Sequence, residues 1–445
     1  MRYPYLVALM LAGTPLLNGC NQSEAADAPP VVQKPDADTT DPVALGWMQG
    51  SPPPPEKLIM QPDSDFFSFP KLRWSVCHLR ELLPTKPISR GLGAPSTLEL
   101  ALDANIDKVS FTPMFSDQPM TWAAALKANY TDGVVILHKG KVVYEKFTGC
   151  LNANGQHAAM SMTKSLTGVL AQILIDEGKL DETAQVSTVV PELANSGFGD
   201  ATVRQVMDMT TGVRFSENYA DPNADIWTYS KAASPLPKPE GYEGPNGYFD
   251  YLTTTVKASE HGVAFGYKTI NADTLGWIIS RVSGKPVEQL IAERIWTPLG
   301  SEQDAYITVD AKGTAFAGGG ISAGLRDIAR FGQLMLNRGQ WQGQQLFPAS
   351  VVERIEQGGD PALLTAAGYK TLPGASYSTM WWVLHNADGA YTARGVYGQA
   401  LYIDPKAQMV IARFGSHPTA GNAANDPTSL PAYQAVADYL MSVDP

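Results

Sequence analysis

Ser161-Met162-Thr163-Lys164 opens a run in which Leu166, Val169, Leu170, Ile173 and Leu174 recur at helical spacing as far as Gly178. Apolar residues at that period mark a helix with a buried face, and a glycine just beyond the last of them marks its stop. In the first turn, residues three apart share a face, so Ser161 Oγ and Lys164 Nζ come within hydrogen-bond reach. The free N–H groups at the head of a helix favour the anion that develops as a hydroxyl loses its proton. A serine hydroxyl is a poor nucleophile without an adjacent base. A lysine serves as that base only when neutral, which demands burial or nearby positive charge, because its free pKa is about 10.4. Taken alone the four residues also fit a solvated helix start in which Ser161 caps backbone N–H groups. The surrounding chain separates the two readings.

Upstream, Gly133-Val134-Val135-Ile136-Leu137 and Val142-Val143-Tyr144-Glu145-Lys146-Phe147 flank His138-Lys139-Gly140-Lys141, two strand-like runs about a glycine turn that predict a hairpin over 132–149. Downstream, from Leu180 to about Gly339, amphipathic stretches such as Ala272 to Val282 and Leu325 to Leu336 make the middle of the chain helical. Strand character returns at Met380 to Leu384, Gly395 to Ile403 and Met409 to Phe414, and Leu430 to Met441 closes the chain as a helix. An early hairpin, a helical middle and late strands predict one sheet assembled from both ends of the chain. The helices of 180–340 would then form an inserted subdomain, so the fold class is mixed α/β of the α+β kind.

Two further stretches fit the chemistry. Tyr267-Lys268-Thr269-Ile270-Asn271 precedes the helix that holds Leu275, Trp277 and Ile278, and a phenol near Ser161 and Lys164 can relay a proton to a leaving group. Gly395-Val396-Tyr397-Gly398-Gln399-Ala400-Leu401-Tyr402-Ile403 reads as a strand whose small residues let a substrate lie along it, and a backbone N–H there pairs with that of Ser161 as an oxyanion hole. The bland alternatives are a core tyrosine and an ordinary strand after a turn.

A Ser-x-x-Lys that opens a long apolar helix soon after a β-hairpin resembles the serine β-lactamase-like superfamily. Scattered matches in order sharpen this toward the 6-aminohexanoate-dimer hydrolase branch over about Trp47 to Phe414: Trp47-Met48-Gln49-Gly50, Trp74-Ser75, Arg80-Glu81-Leu82, Pro84-Thr85, Met160 to Ser165, Val213-Arg214-Phe215-Ser216-Glu217-Asn218-Tyr219, Leu275-Gly276-Trp277 and Gly318-Gly319-Gly320. The resemblance implies a β-lactamase/transpeptidase-like antiparallel sheet flanked by helices with an all-helical insertion. It places Ser161 as nucleophile, Lys164 as base, Tyr267 as proton relay, and the backbone N–H groups of Ser161 and Gln399 as oxyanion hole. Tyr219 resembles a loop tyrosine that closes over substrate, and Tyr397 and Gly398 fall on the substrate-binding strand. Val396-Tyr397-Gly398 stands where β-lactamases and transpeptidases carry Lys-Thr-Gly, and Thr269 where many have Asn. Without that lysine a β-lactam carboxylate loses a cation, so a small ester or short amide is the better expectation than a β-lactam or a peptidoglycan peptide.

The ends and the composition complete the expectation. A charge at Arg2, an apolar run from Leu6 to Leu17 and then Leu17-Asn18-Gly19-Cys20 read as a secretory signal over 1–20. The run is too short to span a bilayer, which takes about 20 apolar residues. Leu-x-Gly-Cys resembles the lipobox of bacterial lipoproteins, which implies lipidation of Cys20, a periplasm-facing enzyme and, with Asn21 following, outer-membrane sorting; the alternative is cleavage near Ala26-Asp27-Ala28. Residues 21–45, rich in Ala, Asp and Pro, are expected to be a disordered tether, and 46–445 the hydrolase domain. After export Cys77 and Cys150 either pair or remain buried thiols. The net charge of -11, with 33 Lys+Arg against 44 Asp+Glu, argues against nucleic acid as a partner. Membrane contact is expected only through the lipid at Cys20. The 6 histidines show no metal-ligand spacing, so neither metal nor cofactor is expected. Gly320-Ile321-Ser322-Ala323-Gly324 fits a nucleophile elbow, with Ser322 as a rival nucleophile and His385 or His417 as its base, but Ala315 to Gly320 is a poor buried strand to precede it. A third reading keeps the fold as a catalytically silent binding protein.

Overall fold

The computed structural model describes residues 35–60 and 65–444. The expected signal segment with Cys20, and the expected tether as far as residue 34, lie outside the described residues. The strands that carry the architecture are β1 (Thr85–Ile88), β2 (Thr131–His138), β3 (Lys141–Phe147), β4 (His157–Ala158), β5 (Ala305–Thr308), β6 (Ile321–Ala323), β7 (Ser376–Ser378), β8 (Trp381–Val383), β9 (Tyr391–Gly395), β10 (Gln399–Asp404) and β11 (Met409–Gly415). The long helices are α1 (Met162–Asp176), α2 (Thr269–Ser283), α3 (Leu325–Leu336) and α4 (Asp426–Val443).

The large sheet runs β7-β8-β9-β10-β11-β2-β3, antiparallel throughout. The early hairpin therefore joins the late strands through β11 and β2, with Val135 opposite Ala412 and Ile136 opposite Ile411. Lys139 and Gly140 both take positive φ, 48° and 79°, the two-residue turn whose twist matches that of the strands it connects. Every residue of β2 is buried because both faces are covered. Val135 and Leu137 belong to the core shared with Leu166 and Val169 of α1 and Phe331 of α3. Val134 and Ile136 pack with Tyr433, Val436 and Leu440 of α4. A strand held between two helical layers reads as a continuous apolar run instead of alternating.

Helix α1 is buried at every position from Met162 to Leu174, as expected of a helix with protein on all sides. Its Gly168 is required by close approach: a Cβ there would lie 2.2 Å from the Thr379 carbonyl oxygen. The helical region after α1 includes Val186–Val189, Val203–Met207, Asp225–Ala233, Tyr248–Thr253 and α2.

Several expectations need correction. The helical span 180–340 is too long, since β5 and β6 fall inside it and build a second sheet, β1-β5-β6-β4; so short a buried run as Ala305 to Thr308 carries no period that separates strand from helix. Gly395 to Ile403 is two strands, not one, broken by a turn at Val396–Gly398 in which Tyr397 has φ 65°. The tether does not extend to residue 45. Asp36 and Asp41 accept backbone N–H groups two or three residues on, at 2.8 Å from Thr39 and 2.9 Å from Val43. Arg73 holds this segment through the Ala37 carbonyl and, at 3.1 Å, Thr40 Oγ1. Composition registers polarity but not such side-chain turns. Cys77 and Cys150 form a disulfide with Cα atoms 6.0 Å apart, which decides between the two states left open by their spacing.

Candidate active site

Ser161 stands at the head of α1, directly after Met160 in the left-handed region at φ 48°. Its side chain makes no helix-capping hydrogen bond. Instead Lys164 Nζ donates to Ser161 Oγ at 2.9 Å and to the Gly318 carbonyl at 2.5 Å. The capping alternative therefore fails, and the serine hydroxyl is left for the lysine. Lys164 is 1% exposed, and burial brings its amine down to about 8 against the opposing pull of Glu217 and Asp273. Desolvation disfavours the charged form of a lysine, which is the condition for a neutral base near physiological pH.

Tyr267, in the approach to α2, joins the same cluster. Its ring centre lies 5.1 Å from Lys164 Nζ, and Ser161 is among the groups that act on its phenol. Burial holds the phenol above its ordinary range, with Glu217 adding to the rise and Ser161 and Arg394 opposing it. Trp382 stacks on the ring at 5.6 Å and Tyr377 meets it edge-on at 6.1 Å, so an aromatic wall fixes where the oxygen points.

Gln399 begins β10. Its side-chain amide donates to the carbonyls of Val396 at 2.9 Å and Gly415 at 2.7 Å and accepts from Gly415 N–H at 2.9 Å, locking the turn between β9 and β10. Gly395, its partner across the strand pair, runs against the segment that precedes the serine: a Cβ there would meet Ala159 O at 2.8 Å and Met160 Cβ at 3.0 Å. The start of β10 and the head of α1 are thus held side by side.

The remaining expected residues divide. Tyr219 donates its hydroxyl to Glu217 at 2.8 Å and sits close enough to Tyr267 and Tyr397 to share their electrostatics. Tyr397 is partly exposed and lies 6.2 Å from the Phe67 ring. Gly398 takes φ 95° in the turn before β10, where a Cβ would strike Arg413 Nη2 at 2.5 Å. Ser322 lies fully buried in β6, paired with Ala158 and Tyr306, not exposed at a strand-to-helix elbow. His385 bonds Ser376 at 2.7 Å and His417 accepts from Thr419 N–H at 3.0 Å, so both candidate bases are engaged elsewhere. Cys77, Cys150 and His157 cluster, but the disulfide consumes both thiolates.

Two acids belong to the site that spacing did not single out. Glu217 accepts Thr269 N–H at 2.6 Å and Thr269 Oγ1 at 2.8 Å, capping the first residue of α2 with negative charge where a helix N-terminus favours it. The same carboxylate holds Tyr219, so one residue ties the loop to the helix beside Tyr267. Asp273, a turn further along α2, is 1% exposed. Glu217 stood inside the quoted run Val213 to Tyr219, but only the fold brings it to Thr269.

An α+β fold with a serine and a buried lysine at the head of its central helix defines the class as serine hydrolase. The Beta-lactamase family profile matches residues 124–430, and the chain belongs to that family. It is 33% identical over 351 residues to the 6-aminohexanoate-dimer hydrolase of Paenarthrobacter ureafaciens, covering 78% of this chain and 86% of the relative. It is 24% identical to the lovastatin esterase of Penicillium rubens over 48% of this chain and 62% of that protein. Among solved structures, the “Putative 6-aminohexanoate-dimer hydrolase from Bacillus anthracis” superposes with a TM-score of 0.77 at 33% identity, over 85% of this chain and 96% of that one.

Proposed function

We propose that this serine hydrolase cleaves a small carboxylic ester or short amide through an acyl-enzyme on Ser161. Lys164, neutral, accepts the Ser161 proton as Oγ attacks the carbonyl carbon, and the backbone N–H groups of Ser161 and Gln399 face the oxyanion. Tyr267 with Lys164 passes the proton to the departing alcohol or amine. Water then attacks the acyl carbon and gives its proton to the same pair, which returns it to Ser161 Oγ as the ester bond breaks, so the acid is released and the serine restored. The observation that carries this reading is the 2.9 Å contact between Ser161 Oγ and a lysine that is 1% exposed. The names of two relatives, a 6-aminohexanoate-dimer hydrolase and a lovastatin esterase, point to amide and ester substrates respectively. Val396 in place of a lysine disfavours β-lactams.

The roles of Tyr219 and Tyr397 in this reading are to close the open side of the cleft over the bound acyl group. We further propose that the enzyme is exported and lipidated on Cys20, facing the periplasm. The signal-like first twenty residues and the Cys77–Cys150 disulfide support that placement, because such bridges persist in oxidising compartments.

The test is a screen of p-nitrophenyl esters, 6-aminohexanoate oligomers and nitrocefin with wild-type protein, Ser161→Ala and Ser322→Ala. Ester or amide turnover with slow or absent nitrocefin cleavage is expected. Loss in Ser161→Ala with retention in Ser322→Ala supports the reading; undiminished hydrolysis in Ser161→Ala overturns it. A fluorophosphonate probe that leaves Ser161 unlabelled favours a silent binding protein.

A further inference from the structure

Asp273 sits one step behind the lysine. Its Oδ2 accepts the Tyr229 hydroxyl at 2.5 Å and its Oδ1 accepts Gly318 N–H at 3.1 Å. The carbonyl of that same Gly318 accepts from Lys164 Nζ. A connected chain therefore runs from Tyr229 through Asp273 to the Gly318 N–H and, across that residue's backbone, from its carbonyl to Lys164 and on to Ser161. From the opposite side, Thr167 Oγ1 of α1 donates to the Ala317 carbonyl at 3.1 Å. The loop is clamped between α1 and α2, and glycine is required where they converge: a Cβ on Gly318 would lie 2.6 Å from Thr269 Cγ2 and 2.9 Å from Asp273 Oδ2.

A buried carboxylate is costly unless it is hydrogen-bonded and balanced by charge. Asp273 meets both conditions through this loop and the lysine. We propose that Asp273 is a positioning residue for the hydrolysis: it holds the 317–319 loop so that the Gly318 carbonyl aims the Lys164 amine at Ser161, and it presents a negative charge to that amine. The proposal rests on the reading of Lys164 as the base.

Charge and geometry are separable here. The groups whose charge acts on Lys164 are Glu217 and Asp273, both favouring the protonated amine against the effect of burial. Around Asp273 lie Lys164, the Tyr229 phenol and the Ala317 and Gly318 amides, with the Tyr248 phenol also within its field. Burial raises Asp273 and lowers Lys164, and the charge of each favours the ionised form of the other. Removing the negative charge makes the ammonium harder to keep, and neutral amine persists to lower pH.

The test compares wild type, Asp273→Asn, Asp273→Ala and Tyr229→Phe on a p-nitrophenyl ester across pH, with thermal melts to establish folding. Asp273→Asn, which keeps the size and most of the hydrogen bonds, is expected to move the acid limb of kcat/KM to lower pH by about half a unit or more. Asp273→Ala, which frees the loop, is expected to lower kcat about tenfold or more with KM within a few fold. If Asp273→Asn does not fold, Tyr229→Phe reads the same effect: with one donor lost, the carboxylate ionises less readily and the limb moves the same way by a smaller amount. A melt that drops while the limb stays in place would make Asp273 a merely structural acid and overturn the proposal. Wild-type hydrolysis that does not depend on Ser161 would instead sink the reading of the site on which the proposal stands.

Discussion

Because burial brings the Lys164 amine down to about 8, the fraction able to take the Ser161 proton changes most steeply just above neutral pH. A lowered lysine pKa means that the neutral form dominates above that value and the ammonium below it. The acid limb of kcat/KM is therefore expected near pH 8, with the rate falling about tenfold per pH unit further down. Lys164→Arg keeps the charge and the donors but cannot give up its proton, and it should lose about 10²–10⁴ in kcat, as should Lys164→Ala. An arginine variant that retained both rate and limb would remove the lysine from its role. The pairing of Ser161 with Lys164 was legible because both lie in one helical turn, where spacing alone determines which side chains meet. Glu217 and Asp273 were not, because each acts across elements: Glu217 reaches Thr269 and Asp273 reaches Gly318, contacts that no local period encodes.

At the scale of elements, the cleft depends on how near β9 comes to the head of α1. Gly395 has an extended backbone, φ -138°, that any residue adopts, so the obstacle to substitution there is space and not torsion. In Gly395→Ala the new methyl would meet the Ala159 carbonyl at 2.8 Å and Met160 Cβ at 3.0 Å, and the strand has to move away from the serine. Displacing one oxyanion donor costs about 10²–10³ in kcat in a site of this kind, whereas overpacking costs about 1–3 kcal/mol of stability. Gly395→Ala should therefore remain folded at 25 °C while kcat drops by at least tenfold; steady-state kinetics beside a thermal melt checks it, and unchanged kcat would mean that β10 does not serve the oxyanion. The hairpin, α1, α3 and the last helix were readable since each holds a clean period or a glycine turn. The break at Val396–Gly398 was not, because Gln399 secures it through the carbonyls of Val396 and Gly415, and neither bond leaves a mark on the apolar pattern.

On the scale of the whole molecule, the segment before β1 packs on the core through Leu72, Val76 and Leu79 and is tied to it by polar and covalent links as well. Arg73 donates to Asp132 at 3.3 Å and to Ser416 at 3.1 Å, and Asp132 in turn meets His157 at 3.2 Å. The Cys77–Cys150 bridge closes a loop of 73 residues beside them. A cross-link over so long a loop restricts the unfolded chain far more than the folded one, and such bridges typically contribute about 2–4 kcal/mol. Cys150 packs on the cluster that includes Ala158 and Met160, whereas the Lys164 amine is set by Ser161 and Gly318, so stability should respond to loss of the bridge far more than catalysis. A Cys77→Ala, Cys150→Ala double variant is expected to lose about 2–4 kcal/mol in urea unfolding while ester turnover at 25 °C stays within a few fold of wild type. Reductant should reproduce the loss in wild type and add nothing in the variant. Equal unfolding midpoints for the two proteins would show that the segment's other contacts suffice to hold it, and a collapse of turnover at unchanged stability would tie the bridge to the cleft through Ala158, whose N–H donates to the Val76 carbonyl at 2.8 Å.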